Sequence, residues 1–357
     1  MIDQPTQIRA GEELNREALE AYLRAHVPSV KASDLLQIQQ FPSGFSNLTY
    51  FLQFGEAEFV LRRSPFGANV KGGHDMQREY RILHGLSKSY PKAPKPLVYC
   101  EDVAVLGAPF YVMDRVQGLI VRSRLPKGFS LTADQFQQMS IALVDTLVEL
   151  HQVDYVAAAL ADLGNPVGYV GRQVNGWIKR YQAAQTDEIG EMDIIAAWLT
   201  ANMPPESGQA LIHNDYKYDN VVLNPANVTQ IVAVLDWEMA TIGDPLMDLG
   251  TTLGYWANAD DPVELRQFSL THLPGNLTRQ AVAERYAERS GRTLTNLVFY
   301  YAFGLFKIGV ILQQIYARYR KGLTQDARFA SLIYLEKAMA RMGVRAIELA
   351  RIDQLGA

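Results

Sequence analysis

The stretch from His213 to Asp248, HNDYKYDNVVLNPANVTQIVAVLDWEMATIGDPLMD, constrains this chain more than any other part of it. Two short apolar runs, Val221 to Leu223 and Ile231 to Leu235, are separated by Asn224, Pro225, Ala226 and Asn227. Asparagine and proline are turn residues, so the pair reads as a hairpin. Asp215, Lys217 and Asn220 stand just before the first run, and Asp236 stands just after the second. A hairpin of this length therefore brings two carboxylates, an amide and an ammonium to one end of a small sheet. That set suits phosphoryl transfer from a nucleotide, which needs a carboxylate to orient and deprotonate a hydroxyl, oxygen ligands for magnesium, and a cation for the moving phosphoryl group. The plainer alternative is a polar turn of solvated residues. Strand, turn and strand in the right order favour the chemical reading.

Upstream, the pattern predicts a small sheet. Leu14 to Val27 has the period of an amphipathic helix, with Leu19, Tyr22, Leu23 and Val27 on one side. Leu35–Phe41, Asn47–Phe54 and Glu58–Arg63 read as three strands, broken by Pro42-Ser43-Gly44 and by Gly55-Glu56. Ser43, Gly44, Ser46 and Asn47 lie in the first loop, a candidate cover for nucleotide phosphates. A helix follows from about His74 to Ser87, carrying Glu79 and an Ile82, Leu83, Leu86 stripe. Leu97–Cys100 and Phe110–Met113 complete five strands, after which Asp114 to Gly118 breaks the pattern as a hinge would. Met113 and Val116 are apolar there and could lie against an adenine.

After Gly118 the chain turns helical. Thr132-Ala133-Asp134-Gln135 is a capping box that opens a helix running to about His151. Further helical patterns run near Tyr169–Ala184, Ile194–Ala201, Arg279–Arg289, Leu294–Arg320 and Ala327–Arg351. The expected fold is α+β and bilobal: a small antiparallel-sheet N-terminal lobe over residues 1–113, a hinge at 114–118, and a large helical C-terminal lobe over 119–357 that contains the hairpin. A chain of 357 residues is long enough for two lobes.

Composition narrows the function. A net charge of −4 gives no electrostatic footprint for nucleic acid. The single cysteine, Cys100, sits in an apolar run and reads as inert core, in keeping with a reducing compartment. Six scattered histidines have no metal-ligand spacing. The start, MIDQPTQIRAGEEL, lacks the pattern of a signal peptide, and the apolar stretch Leu297–Phe306 is interrupted by Lys307, so no membrane partner and a cytoplasmic location are expected. Nothing here reads out an oligomeric state.

The order H-x-D-x-K-x-x-N in HNDYKYDN (His213 to Asn220), together with VLDWEMATIGDPLMDLG (Val234 to Gly250) and the FVLRR and QREYRIL runs, resembles the kinase-like aminoglycoside phosphotransferase family. The resemblance covers the chain from about Leu35 onward and is nearest to the phosphotransferase domains fused to, or encoded beside, acyl-CoA dehydrogenases. It implies a protein-kinase-like fold, ATP and Mg2+ as cofactors, Asp215 as base, and Asn220 and Asp236 as magnesium ligands. It implies also that Arg62, where protein kinases have lysine, clamps the phosphates with Glu79 holding it, and that Lys217 acts at the γ-phosphate. At ~4 Å and an effective dielectric near 20, such an Arg–Glu pair carries a Coulomb attraction of about 4 kcal/mol before desolvation, enough to fix the arginine. Strand alternation puts Arg63 opposite, so one of the two arginines should face the cleft and the other solvent. His213 is expected to tie the loop to the core, Asp244 to cap a helix, and Asp248 to bond the backbone of the catalytic loop.

An aminoglycoside acceptor would call for an acidic pocket. From Tyr316 to Arg351 the chain instead carries eight basic residues against three acidic ones, and Lys337, Arg341 and Arg345 stack at four-residue spacing on one helix face. Such a stripe would attract an anionic small-molecule acceptor, with a hydroxyacyl-CoA the leading candidate. A solvated helix face is the bland reading of the same charges. Two other functions stay open: a choline-, ethanolamine- or amino-sugar-type kinase, and a catalytically silent nucleotide-binding module, the latter prompted by Arg62 and the glycine-poor loop.

Overall fold

The computed structural model describes residues 4–42, 47–65, 75–125, 128–324 and 326–356. In chain order the N-terminal part consists of α1 (Arg16–His26), β1 (Leu36–Gln40), β2 (Leu48–Phe54), β3 (Ala57–Arg63), α2 (Met76–Leu86), β4 (Pro96–Cys100), α3 (Val103–Leu106) and β5 (Phe110–Asp114). The rest consists of α4 (Ala133–His151), α5 (Tyr169–Ala184), α6 (Gly190–Ala201), β6 (Ala210–Ile212), β7 (Val221–Asn224), β8 (Asn227–Val234), β9 (Thr241–Gly243), α7 (Pro245–Tyr255), α8 (Val263–Arg266), α9 (Arg279–Ser290), α10 (Leu297–Arg320) and α11 (Leu332–Leu349).

The five N-terminal strands pair antiparallel in the order β1-β2-β3-β5-β4. Period-two alternation gives this sheet two apolar faces. Tyr50, Leu61 and Val112 pack with Leu19 and Leu23 of α1 in one cluster. Phe51, Val60, Tyr111 and Met113 join the large cluster that continues through α2 into the helical lobe. Both faces are thus covered, and the second one looks toward the hairpin. Arg78 on α2 fastens that side, donating to the carbonyls of Leu163 at 3.0 Å and Ala240 at 2.8 Å. Beyond the hinge residues, Leu119 pairs with Leu223 of the hairpin.

The hairpin itself is β7 paired with β8, and β6 pairs separately with β9, a short ladder the sequence pattern does not reveal. The Thr132–Gln135 capping box forms at the start of α4, with the side chain of each residue bonded to the other's backbone nitrogen. Helix α10 does not stop at Lys307 but runs through it for 24 residues. Its length and apolarity would suffice to cross a membrane, but most of its apolar window is buried inside the lobe. Helices α7 and α10 cross so closely that a Cβ on Gly250 would meet the Tyr300 carbonyl oxygen at 2.1 Å, and one on Gly304 the Gly250 oxygen at 2.0 Å.

Candidate active site

The segment between β6 and β7 is held from below by Asp248 on α7. Its two oxygens accept the backbone N–H groups of His213 and Asn214, both at 2.7 Å, and the Nε2 of His151 lies 3.0 Å from it. Burial pulls the Asp248 carboxyl upward, but His151, His213 and these bonds bring it below the usual carboxylate range, so it stays an anion. His213 reaches across to the other strand: its Nε2 is 2.9 Å from the Leu235 carbonyl, and its Nδ1 accepts from the Asp215 N–H at 3.3 Å. His213 therefore ties the loop to the end of β8. Asp244 caps α7 through the Leu246 N–H and also accepts from the nitrogen and hydroxyl of Ser207, each at 2.6 Å.

Two residues of the site lie in left-handed backbone, Asn214 at φ 67° and Asp236 at φ 66°. Asparagine and aspartate bear that conformation better than most side chains, and such turns concentrate where the surroundings dictate the geometry. They flank the two ends of the hairpin and turn its polar residues to one side.

Asp215 is surrounded by donors. Lys217 Nζ is 2.9 Å from both of its oxygens, Tyr255 on α7 donates to Oδ1 at 2.7 Å, and Asn220 Nδ2 donates to Oδ2 at 2.8 Å. Burial would raise this carboxyl, but Lys217, Tyr255 and His213 outweigh it, and it stays below its ordinary value. Lys217 is shifted upward: burial works against its charge, while Tyr255 and Asp215 hold the proton on. Leu235 N–H donates to the Asn220 carbonyl at 2.8 Å, which sets Asn220 beside the start of the Asp236 turn. The Asn220 amide nitrogen is committed to Asp215, leaving the amide oxygen as the atom for a cation. The Asp236 side chain is 35% exposed, against 25% for Lys217 and 17% for Asp215.

Arg62 on β3 comes to the same place from the opposite lobe. Its guanidinium contacts Glu79 at 2.5 Å, Asp236 at 3.1 Å and Glu238 at 3.5 Å. Desolvation disfavours its charge, but Glu79 and the other acids hold the proton well above its ordinary affinity. Burial pushes Glu79 upward despite Arg62. Asn47, at the start of β2, donates to Glu238 at 2.6 Å. Asp215, Lys217 and Asn220 thus form one bonded group, and Arg62, Glu79, Asp236, Glu238 and Asn47 form a second, the two meeting where the Leu235 N–H bonds the Asn220 carbonyl. Met113 is buried on β5 and Val116 half-buried just past it. Ser43, Gly44 and Ser46 lie outside the described residues.

Arg63 corrects the expectation of an arginine at solvent. It lies on the opposite face, as alternation demands, but is 1% exposed and donates to the Ser64 and Leu106 carbonyls. The far face of this sheet is itself roofed by α1 and α3, so an outward residue is buried too. Three participants escaped the sequence reading. Tyr255 lies 40 residues past Asp215, at the far end of the helix that Asp244 caps, and Lys307 sits inside an apolar run. Glu238 had a signal, being two residues after Asp236 on a short helical turn.

A cavity of about 160 Å³ opens beside Lys217 and Tyr255. Phe268, Leu312 and Met339 contribute apolar wall, and Arg122, Lys217 and Asp219 are its charged lining residues. Leu335 and Met339 of α11 face this space. Lys337 and Arg341 follow them by two positions, about 200° round the helix, so the basic stripe points away from the cavity. The cations that do line it are Arg122 and Lys217.

Residues 37–284 match the phosphotransferase enzyme family. The chain belongs to that family. It is 31% identical to a putative aminoglycoside phosphotransferase from Ralstonia eutropha JMP134, with a TM-score of 0.79 and coverage of 93% of this chain and 97% of that one. Choline kinase from Cryptosporidium parvum, at 12% identity, shares the fold with a TM-score of 0.64 over 95% of this chain and 98% of its own. Acyl-CoA dehydrogenase family member 11 of Rattus norvegicus is 36% identical over 312 residues, 85% of this chain and 40% of that protein. Member 10 of the mouse is 31% identical over 340 residues, 94% of this chain and 31% of that protein. The chain therefore spans well under half the length of these relatives. The phosphotransferase family and its kinase-like α+β fold are those that the residues from His213 to Asp248 imply.

Proposed function

We propose that this chain is an ATP-dependent kinase that phosphorylates a hydroxyl of a small anionic molecule, with a hydroxyacyl-CoA the leading acceptor, in the cytoplasm. The observation that carries the reading is that Lys217 and Tyr255, which hold the Asp215 carboxylate, also line a mainly apolar cavity. An ionised carboxylate held by Lys217, Tyr255 and Asn220 can accept the proton of an acceptor hydroxyl presented from the cavity. Lys217 is placed to follow the transferred charge. Arg62, set by Glu79, would serve the phosphates, with Ser43, Gly44, Ser46 and Asn47 assigned to cover them by their place in the sequence alone, and Met113 and Val116 assigned to the adenine.

Among the described residues no three His, Cys, Asp or Glu gather as a metal cage. That donor set still fits magnesium, which takes one or two protein oxygens and fills its shell from substrate phosphates and water. The Asn220 amide oxygen and the Asp236 carboxylate would hold it, and its contribution would be to neutralise charge on the phosphates. The acceptor class rests on the cavity. Apolar walls suit a short acyl segment, and two cations against one carboxylate disfavour a polycationic antibiotic. The silent-module reading draws on one observation, the ion pair that already joins Arg62 to Asp236.

Purified protein with ATP and Mg2+ against hydroxyacyl-CoAs, aminoglycosides and choline separates these readings. ADP release dependent on a hydroxyacyl-CoA, and at least ~1,000-fold lower in Asp215→Ala, is the expected result. Nucleotide binding without turnover on any of the three classes would sink the kinase and leave the module.

A further inference from the structure

Lys307 lies midway along α10, 2% exposed, between the buried Phe306 and Ile308. An ammonium in such surroundings is retained only where something compensates it. Among the described residues it has no carboxylate within 4.0 Å; its Nζ instead donates to the Asn214 carbonyl at 2.6 Å, lies 3.3 Å from Asn214 Oδ1, and stands 5.8 Å from the centre of the Trp177 ring. Asn214 is the left-handed residue directly before Asp215. Its other bonds come from every side: its N–H to Asp248, its Nδ2 to the Met239 carbonyl at 3.1 Å, and Tyr169 OH to its Oδ1 at 3.3 Å. A protein chain seldom aims a buried cation at one carbonyl, and here that carbonyl belongs to the peptide that sets the direction of Asp215.

We propose that Lys307 is a positioning residue for the catalytic loop: its ammonium pins the Asn214 carbonyl in the left-handed turn that aims Asp215, and loss of its proton frees the turn. The inference rests on Asp215 being the base. The proton is weakly held. Burial lowers Lys307 to about 8, with Asp248 and Asp215 resisting and Lys217 and Arg180 assisting that fall. Two tyrosines stand close to the same turn, Tyr169 on α5 and Tyr255 on α7, and burial raises both. Neutral amine still donates a hydrogen bond, but a weaker one than a charged donor makes. One other buried group, Glu336, also comes to about 8, but it sits on α11 against Gly309 and serves as a control.

Hydrogen exchange of the His213, Asn214 and Asp215 amides, corrected for the intrinsic effect of pH, tests this without an acceptor. In the unmodified protein these amides should exchange at least tenfold faster at pH 9 than at pH 7, with a midpoint near 8, and Glu336→Gln should behave the same way. Lys307→Met should show the fast exchange already at pH 7, and Lys307→Arg, charged throughout, should keep protection at pH 9. Where turnover is measurable, kcat should follow the same midpoint with the KM for ATP within twofold, and that limb should be absent from Lys307→Met. Equal protection at pH 7 and 9 in the unmodified protein, its fold checked by circular dichroism, would overturn the proposal even if Lys307→Met fails to fold. Protection in Lys307→Met matching the unmodified protein would overturn it too. Lys307-dependent protection without turnover on any acceptor supports the positioning role and counts against the kinase reading instead.

Discussion

Single residues in this chain are most informative where their charge is at odds with their surroundings. Glu336 is fully buried, both its oxygens lack a hydrogen-bond partner, and burial together with Asp187 raises its pKa to about 8. In the unfolded chain a glutamate titrates near 4.5. Between those values the folded protein binds the proton more tightly than the unfolded one, so stability falls as pH rises from 4.5 toward 8. Glu336→Gln removes that dependence. Its stabilisation should be on the order of 2 kcal/mol, or about 2–4 °C in Tm, at pH 8, and near zero at pH 4.5, as thermal melts at the two pH values would show. That Asp215 and Asn220 come together beside the Asp236 turn was legible at this scale, because their spacing around a turn can be seen in the chain. The meaning of Lys307 and Glu336 was not, since it comes from helices packed over them.

At the scale of elements, strands and caps were legible and crossings were not. The five strands of the N-terminal sheet and the Thr132–Gln135 cap follow from alternation and local hydrogen-bonding chemistry, which operate within a few residues. The β6–β9 ladder pairs Ala210–Ile212 with Thr241–Gly243, two three-residue runs too short to carry a period. The contact of α7 with α10 was equally hidden, although Gly250 and Gly304 make it possible. Gly250→Ala would push a methyl group against backbone rather than against a flexible side chain. We expect a loss of about 3 kcal/mol or more, read from the urea midpoint. Because α7 carries Tyr255 and Asp248 and α10 carries Lys307, the same change should disturb the catalytic loop, whereas Gly190→Ala, with open space around it, should not.

Across the whole molecule, the two lobes meet through charge at the cleft. Glu79 and Arg62 come from one side, Asp236 and Glu238 from the other, and Asn47 bonds across the gap. The bilobal plan could be read from composition shifting after Gly118, since sheet and helix patterns differ in period. The direct link of Arg62 to Asp236 could not, because 174 residues separate them. That link bears on the ATP and Mg2+ of the proposed function. A divalent ion that takes Asp236 Oδ1 loosens its hold on the guanidinium, and a nucleotide that takes the guanidinium loosens its hold on Asp236, so each newcomer does part of the other's work. Calorimetric titration should therefore find ATP and Mg2+ reinforcing one another beyond the affinity they have in free solution, and substitution of Asp236 by asparagine should leave nucleotide alone binding more tightly while abolishing the mutual gain.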